Sequence, residues 1–117
     1  DSGEFGLLCA LQASESWNGY GFIVSADGRY RIAKWVNGER SDLAGPRYAA
    51  SLRRGNASNH LRATCYDGYM TLEINGQELA FASDADFSGG KIALLAGTST
   101  GAEIDVLFAN WVVTELP

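Results

Sequence analysis

Histidine and methionine each occur once in this chain, and proline and cysteine only twice each. The single His60 stands beside Asn59 at the start of a strand-like run, which leaves little for histidine-centred acid–base or metal chemistry. No G-x-S-x-G is present, so the nucleophile elbow of the hydrolases is excluded. Cys9 and Cys65 are far apart and have no C-x-x-C spacing, which excludes the common zinc and dithiol motifs. No apolar run approaches the roughly 18 residues that a membrane-spanning helix needs. Basic runs are equally short, none longer than Arg53-Arg54, in a chain of net charge -5. That balance disfavours nucleic acid and anionic membranes as partners. Amphipathic helical periods, linkers, low-complexity tracts and internal repeats are missing too.

What the chain has is turns. Asp27-Gly28, Asn37-Gly38, Asp67-Gly68 and Asn75-Gly76 each lie between aliphatic and aromatic runs. Such pairs tolerate positive φ at both turn centres, which a two-residue hairpin requires. With 117 residues, 46% of them hydrophobic, the chain is read as one domain (1–117) with a packed core. Strands are expected at 6–13, 20–25, 29–36, 39–43, 60–66, 69–74, 77–82, 91–96 and 103–108. Alternation puts Met70 with Leu72 and Ile74, and Ile92 with Leu94, on inward faces, and it places Tyr30 with Ile32 and Leu79 with Phe81 each on one shared face. Trp111 and Val113 fall out of phase with Ile104, Val106 and Phe108, which suggests a bulge near Ala109-Asn110. Residues 44–59 carry Pro46 and read as a long loop with one helical turn.

Period-two alternation places Cys9 with Leu7 and Leu11, and Cys65 with Leu61 and Ala63, so both thiols are expected to point into the core. A disulfide between two core strands and a pair of separate buried thiols are both compatible with that placement.

Five segments, in order, carry a resemblance: 19–32 (GYGFIVSADGRYRI), 59–65 (NHLRATC), 72–79 (LEINGQEL), 87–94 (FSGGKIAL) and 106–113 (VLFANWVV). Together they resemble the laminin-G-like, concanavalin A-like jelly-roll domains of bacterial exported and cell-surface proteins. The resemblance implies an all-β, antiparallel jelly-roll β-sandwich and an extracellular or cell-surface location. Some relatives have a cysteine at each matching position, so it also implies a Cys9–Cys65 disulfide. Two departures stand out. Ala109 replaces the family's usual Asp. The family's domain also normally begins roughly 50 residues or more before the first strand here, several strands' worth. The resemblance therefore implies the C-terminal part of a jelly roll lacking its N-terminal strands, with a complementary N-terminal segment or a second chain to supply them.

Catalysis has one candidate. Laminarinase-type glycoside hydrolases share the implied fold and use an E-x-D-x-E strand, and Glu103-Ile-Asp105 matches its start. Leu107 stands where the second catalytic carboxylate belongs, so no retaining or inverting pair can be built there. The chain is read as a non-enzyme. Asp27, Asp84 and Asp86 are oxygen ligands of the kind Ca²⁺ takes, but too sparse for a dense site. Asp84 more simply accepts backbone N–H groups in the turn before Phe87, and no cofactor is assigned. Asn56-Ala57-Ser58 matches the glycosylation pattern, a tripeptide common by chance.

The aromatic residues remain. Flat rings stack on sugar faces, and nearby polar groups fix orientation. The candidate contact residues are Trp17, Trp35, Arg47, Tyr48, Arg53, Tyr66 and Tyr69. The expected role is a non-catalytic recognition module for a glycan or another extracellular ligand. The alternatives are an assembly module completing a sandwich with another segment or chain, and a glycosidase remnant. Several of these rings would in the plainer case belong to the core or cover an edge.

Overall fold

The computed structural model describes residues 3–54 and 57–98. Eight strands follow one another: β1 (Gly3–Leu11), β2 (Gly19–Ser25), β3 (Arg29–Val36), β4 (Glu39–Tyr48), β5 (Leu61–Tyr66), β6 (Tyr69–Ile74), β7 (Gln77–Ser83) and β8 (Lys91–Thr98). No helix occurs among the described residues. Three of the four turn signals form as expected, with positive φ at both members of Asn37-Gly38, Asp67-Gly68 and Asn75-Gly76. The fourth is built differently: Gly28 N–H donates to the Ser25 carbonyl, and only Gly28 has positive φ.

All pairings are antiparallel. Strands β4-β3-β2-β1-β8 form one sheet and β5-β6-β7 the other. The two pack into a β-sandwich, with β1 over β5 and β3 and β4 over β7. Phe22, Val24, Ile32, Met70, Leu72 and Ile74 fill the interior between them. The alternation expected for β6 is realised, since Met70, Leu72 and Ile74 are all buried.

A second apolar cluster lies on the opposite face of the five-stranded sheet. It contains Leu8, Ile23, Ala33 and Trp35. Strand β2 is buried at every one of its 7 residues. Packing there is close: a Cβ on Gly6 would collide with the Phe22 carbonyl of the neighbouring strand. Arg40 on β4 grips Glu4 on β1 through both carboxylate oxygens, at 2.9 and 3.3 Å. Given the strand order, this ion pair reaches across β3 and β2. Arg31 joins Glu4 at 3.8 Å and Asp42 at 3.2 Å.

Four expectations are corrected. Strand β4 does not stop at Leu43 but continues to Tyr48, and a simple turn at Ala49–Leu52 replaces the helical turn. Pro46 fits because β4 is an edge strand with register shifts opposite Tyr30–Ala33. Leu11 does not share Cys9's face. Ala10 has φ 52° and the β1–β8 register shifts between Leu8 and Leu11, which turns Leu11 to the outer cluster. Leu79 and Phe81 do not share a face: Ala80 and Ala82 face the core from β7 and Phe81 faces out, because the register slips between Leu72 and Glu73. Leu79 still packs against the core at that slip. Finally, Ile92 and Leu94 are exposed. They share a side with Leu7, but β5, the strand under β1, is an edge of the described three-stranded sheet and β8 extends past it. The strand expected at 103–108 and the bulge near Ala109-Asn110 lie outside the described residues.

Cys9 and Cys65 form a disulfide between β1 and β5, with Cα atoms 6.5 Å apart. Cys9 is buried as expected, whereas Cys65 lies at the exposed margin of the sandwich. The bridge closes a loop of sequence separation 56. In the chain-entropy account, such a loop stabilises by about 4 kcal/mol. Urea unfolding with and without reductant is expected to show a loss of that order, and Cys9→Ala/Cys65→Ala should match the reduced protein.

Candidate ligand-binding surface

Strand β7 places Phe81 outward, opposite Thr71, while Tyr69 and Tyr66 pair across the β5–β6 hairpin. The Tyr69 and Phe81 rings stack at 6.0 Å with 27° between planes. Tyr66, Tyr69 and Phe81 are about half exposed, at 49%, 55% and 56%. Three large rings thus stand on the outer face of the described three-stranded sheet. Exposed rings grouped in this way mark recognition surfaces.

Phe81 also borders an open cleft of about 240 Å³ between β4 and β7, each at an edge of its sheet among the described residues. Tyr30, Leu43 and Ala44 line one wall and Leu79, Ala80 and Phe81 the other, with Arg47 at the β4 side. The cleft and the ring platform therefore share Phe81. Arg47 has no carboxylate within ion-pair distance among the described residues, so its guanidinium is available to a polar group in the cleft.

Tyr48 points to the opposite side of β4 from Arg47. It pairs with Arg29 in the β3–β4 register, and Arg29 and Arg54 lie 6.0 and 5.5 Å from its ring centre. Asp27 bonds Arg29 at 3.0 Å, which raises the Arg29 pKa. Ser25 and Arg29 in turn hold Asp27 below the ordinary carboxylate value. Arg53 follows in the next loop, where its backbone exchanges hydrogen bonds with the Asn59 side chain.

Trp17 and Trp35 meet edge-on at 5.6 Å at the other end of β3. Trp35 is 9% exposed and belongs to the outer apolar cluster, whereas Trp17 is 47% exposed. Gly38 N–H donates to the Trp17 carbonyl, and the Asn18 side chain accepts from Asn37 N–H, so this loop is fixed to the β3–β4 turn. The structure thus brings Arg47, Tyr66 and Tyr69 to one region through Phe81. Tyr48 and Arg53 belong to a second region, and Trp17 with Trp35 to a third. Trp111 and the Glu103–Asp105 pair lie outside the described residues. Phe81 was missed because unbroken alternation groups it with Leu79, and only the register slip at Glu73 sets the two on different faces.

The three candidate metal carboxylates are not assembled into one site. Asp27 belongs to the Arg29 turn, while Asp84 and Asp86 both close on the Lys34 ammonium. Among the described residues no group of three metal-ligating side chains occurs. Asp84 accepts the Asp86 N–H at 3.1 Å, as expected for this turn, and also the hydroxyl of buried Tyr20 at 2.5 Å. Lys34 reaches Asp84 at 2.9 Å, and Phe87 N–H donates to the Tyr20 oxygen. This clasp ties the β7–β8 connection to β2 and β3. Its hydrogen bonds to Asp84 raise the Lys34 pKa. Burial, followed by the bond to Asp84, raises that of Tyr20. Burial works against ionised Asp84, but the bonds from Lys34 and Tyr20 outweigh it and hold the carboxyl below 3.8. His60 is exposed, and only its backbone is held, by Asn75.

No family model, curated protein or solved structure matches the chain.

A carboxyl whose pKa is lowered by folding contributes stability above its unfolded pKa, and that contribution is lost as pH falls through the folded value. The Asp84 contribution is therefore expected to disappear on acidification below about pH 4. Asp84→Asn should lower stability at pH 7 by about 2 kcal/mol, mostly by leaving Lys34 poorly compensated. It should also flatten the acid limb of a plot of unfolding free energy against pH.

Proposed function

We propose that this chain is a non-catalytic, exported recognition module that binds carbohydrate across the Tyr66–Tyr69–Phe81 platform. The exposed Tyr69–Phe81 stack carries this reading. A soluble sandwich gains nothing for its own core by turning two stacked rings outward, whereas a pyranose offers a flat C–H face of matching size. Arg47 in the adjoining cleft supplies a directional hydrogen-bond donor, so ring faces give affinity and the guanidinium gives orientation. The platform is built on a sheet, which keeps the rings in place before binding and lowers the ordering cost.

The laminin-G-like, concanavalin A-like jelly roll is the fold type we propose for the sandwich. Two packed antiparallel sheets and the Cys9–Cys65 bridge support it. The disulfide also supports an oxidising, extracellular setting. No helix among the described residues is long and apolar enough to cross a membrane.

The test is a glycan array followed by titration calorimetry on the best neutral oligosaccharide. Phe81→Ala and Tyr69→Ala are each expected to weaken binding about ten-fold or more, the size of a lost stacking contact. Trp17→Ala should leave affinity unchanged, and thermal melts should confirm that all three variants fold. A blank array at high protein concentration, or unchanged affinity in Phe81→Ala, overturns the reading.

A further inference from the structure

Four of the nine cationic side chains are paired with carboxylates: Arg29, Arg31, Lys34 and Arg40. Among the described residues the other five have no such partner. Two of those five, Arg53 and Arg54, are adjacent in the segment that follows β4, where the Arg53 guanidinium donates to the Ser58 carbonyl at 3.3 Å. In a chain of net charge -5 this concentration runs against the overall composition. Clusters of uncompensated arginine cost stability through mutual repulsion, so their placement calls for an anion.

We propose that the rim formed by Arg54, Arg53, Tyr48 and Arg29 is an anion-binding site for the sulfate or carboxylate groups of an acidic polysaccharide. It lies apart from the Tyr66–Tyr69–Phe81 platform, and it stands or falls independently of neutral-glycan binding.

The rim is held in advance. Ala49 N–H donates to the Gly28 carbonyl at 3.1 Å, and Leu52, 2% exposed, anchors the segment in the core. The Asn75 side chain donates to the Ser51 carbonyl at 2.6 Å and to Asn59 at 2.9 Å. Asn59 in turn bonds the Arg53 backbone in both directions. Arg54 lies across the β2–β3 turn, where a Cβ on Gly28 would come within 2.6 Å of its Nε. With φ of 96°, this position favours glycine, and its bare Cα lets the Arg54 side chain lie against the turn. The 64%-exposed Tyr48 ring then holds the Arg54 and Arg29 guanidiniums at its periphery.

Asp27 neutralises Arg29, so the net positive charge of the rim comes from Arg53 and Arg54. Guanidinium offers paired N–H donors that fit carboxylate and sulfate oxygens. A saccharide bearing such groups is favoured over nucleic acid because single strands bind by stacking successive bases on a row of rings, and this rim presents one ring, Tyr48, flanked by two guanidiniums.

The experiment measures binding of the full chain to dextran sulfate, polygalacturonate, neutral dextran and a single-stranded oligonucleotide at 50 and 300 mM NaCl. The expected result is binding to one or both acidic polysaccharides, weakened by salt, with none to neutral dextran through this rim. Arg54→Ala should reduce it about five-fold and Arg53→Ala/Arg54→Ala should abolish it, as for loss of charge-assisted bonds. Arg54→Lys should retain only part of the affinity, because the fork is lost. Arg62→Ala, an exposed cation on the other sheet, and Phe81→Ala should have no effect. Unchanged affinity in Arg54→Ala, absence of binding to both acidic polysaccharides, or equal Arg54-dependent binding of the oligonucleotide would overturn the proposal. Loss of neutral-glycan binding in Phe81→Ala with dextran sulfate binding intact would show two separate sites.

Discussion

Strand β2 has no exposed residue, and this constraint shapes the rest of the molecule. A strand buried on one face needs only a facing sheet. A strand buried on both faces needs a second apolar layer, which here contains Leu8, Ile23, Ala33 and Trp35. Glycines at positions 6 and 21 keep that layer thin, since a Cβ at Gly21 would strike the Trp35 ring. The Glu4–Arg40 and Arg31–Asp42 pairs then frame it with charge. Such partly exposed ion pairs add little stability individually. Their value here is positional, because they fix long side chains over a surface that would otherwise attract other apolar groups.

The connection between the sheets follows the same logic. Leaving β7 for β8 requires the chain to cross from one layer to the other. Tyr20, Lys34 and Asp84 hold that crossing at the end of the core, where the buried phenol and partly buried ions satisfy one another. A disulfide on the opposite sheet margin and a polar clasp at the crossing restrain the two layers at different points. Among the described residues the second sheet has fewer strands than the first, and Ile92 and Leu94 on β8 are exposed.

Much of this was legible in the sequence, and the failures share one cause. Asn-Gly and Asp-Gly pairs located the hairpins, and period-two alternation placed Met70, Leu72, Ile74, Tyr30 and Ile32 correctly. Asp84 was read correctly as a turn acceptor, although its bonds to Tyr20 and Lys34, 64 and 50 residues away, left no trace in local pattern. Each facing error lies at a change of register or of sheet width. Ala10 displaces Leu11, the Leu72/Glu73 slip parts Phe81 from Leu79, and the described second sheet does not cover Ile92. A bulge is decided by the neighbouring strand, so alternation within one segment cannot reveal it. The candidate ligand residues scattered into three regions for a related reason. Ring type is visible in sequence, but the face a ring occupies depends on register. The arginine-rich rim was half visible, since Arg53-Arg54 stood out as a pair. What could not be read was that Leu52, Asn59 and Asn75 immobilise it.

The Cys9–Cys65 linkage has a topological meaning beyond stability. It joins the first strand of the N-terminal meander to the first strand of the C-terminal one, so β2, β3 and β4 all lie inside one covalent ring. A protease that cuts after the exposed Arg53 or Arg54 would open that ring without releasing either piece. In a protease-rich environment the module could be cleaved there and remain a single particle, with the two pieces still joined by the disulfide.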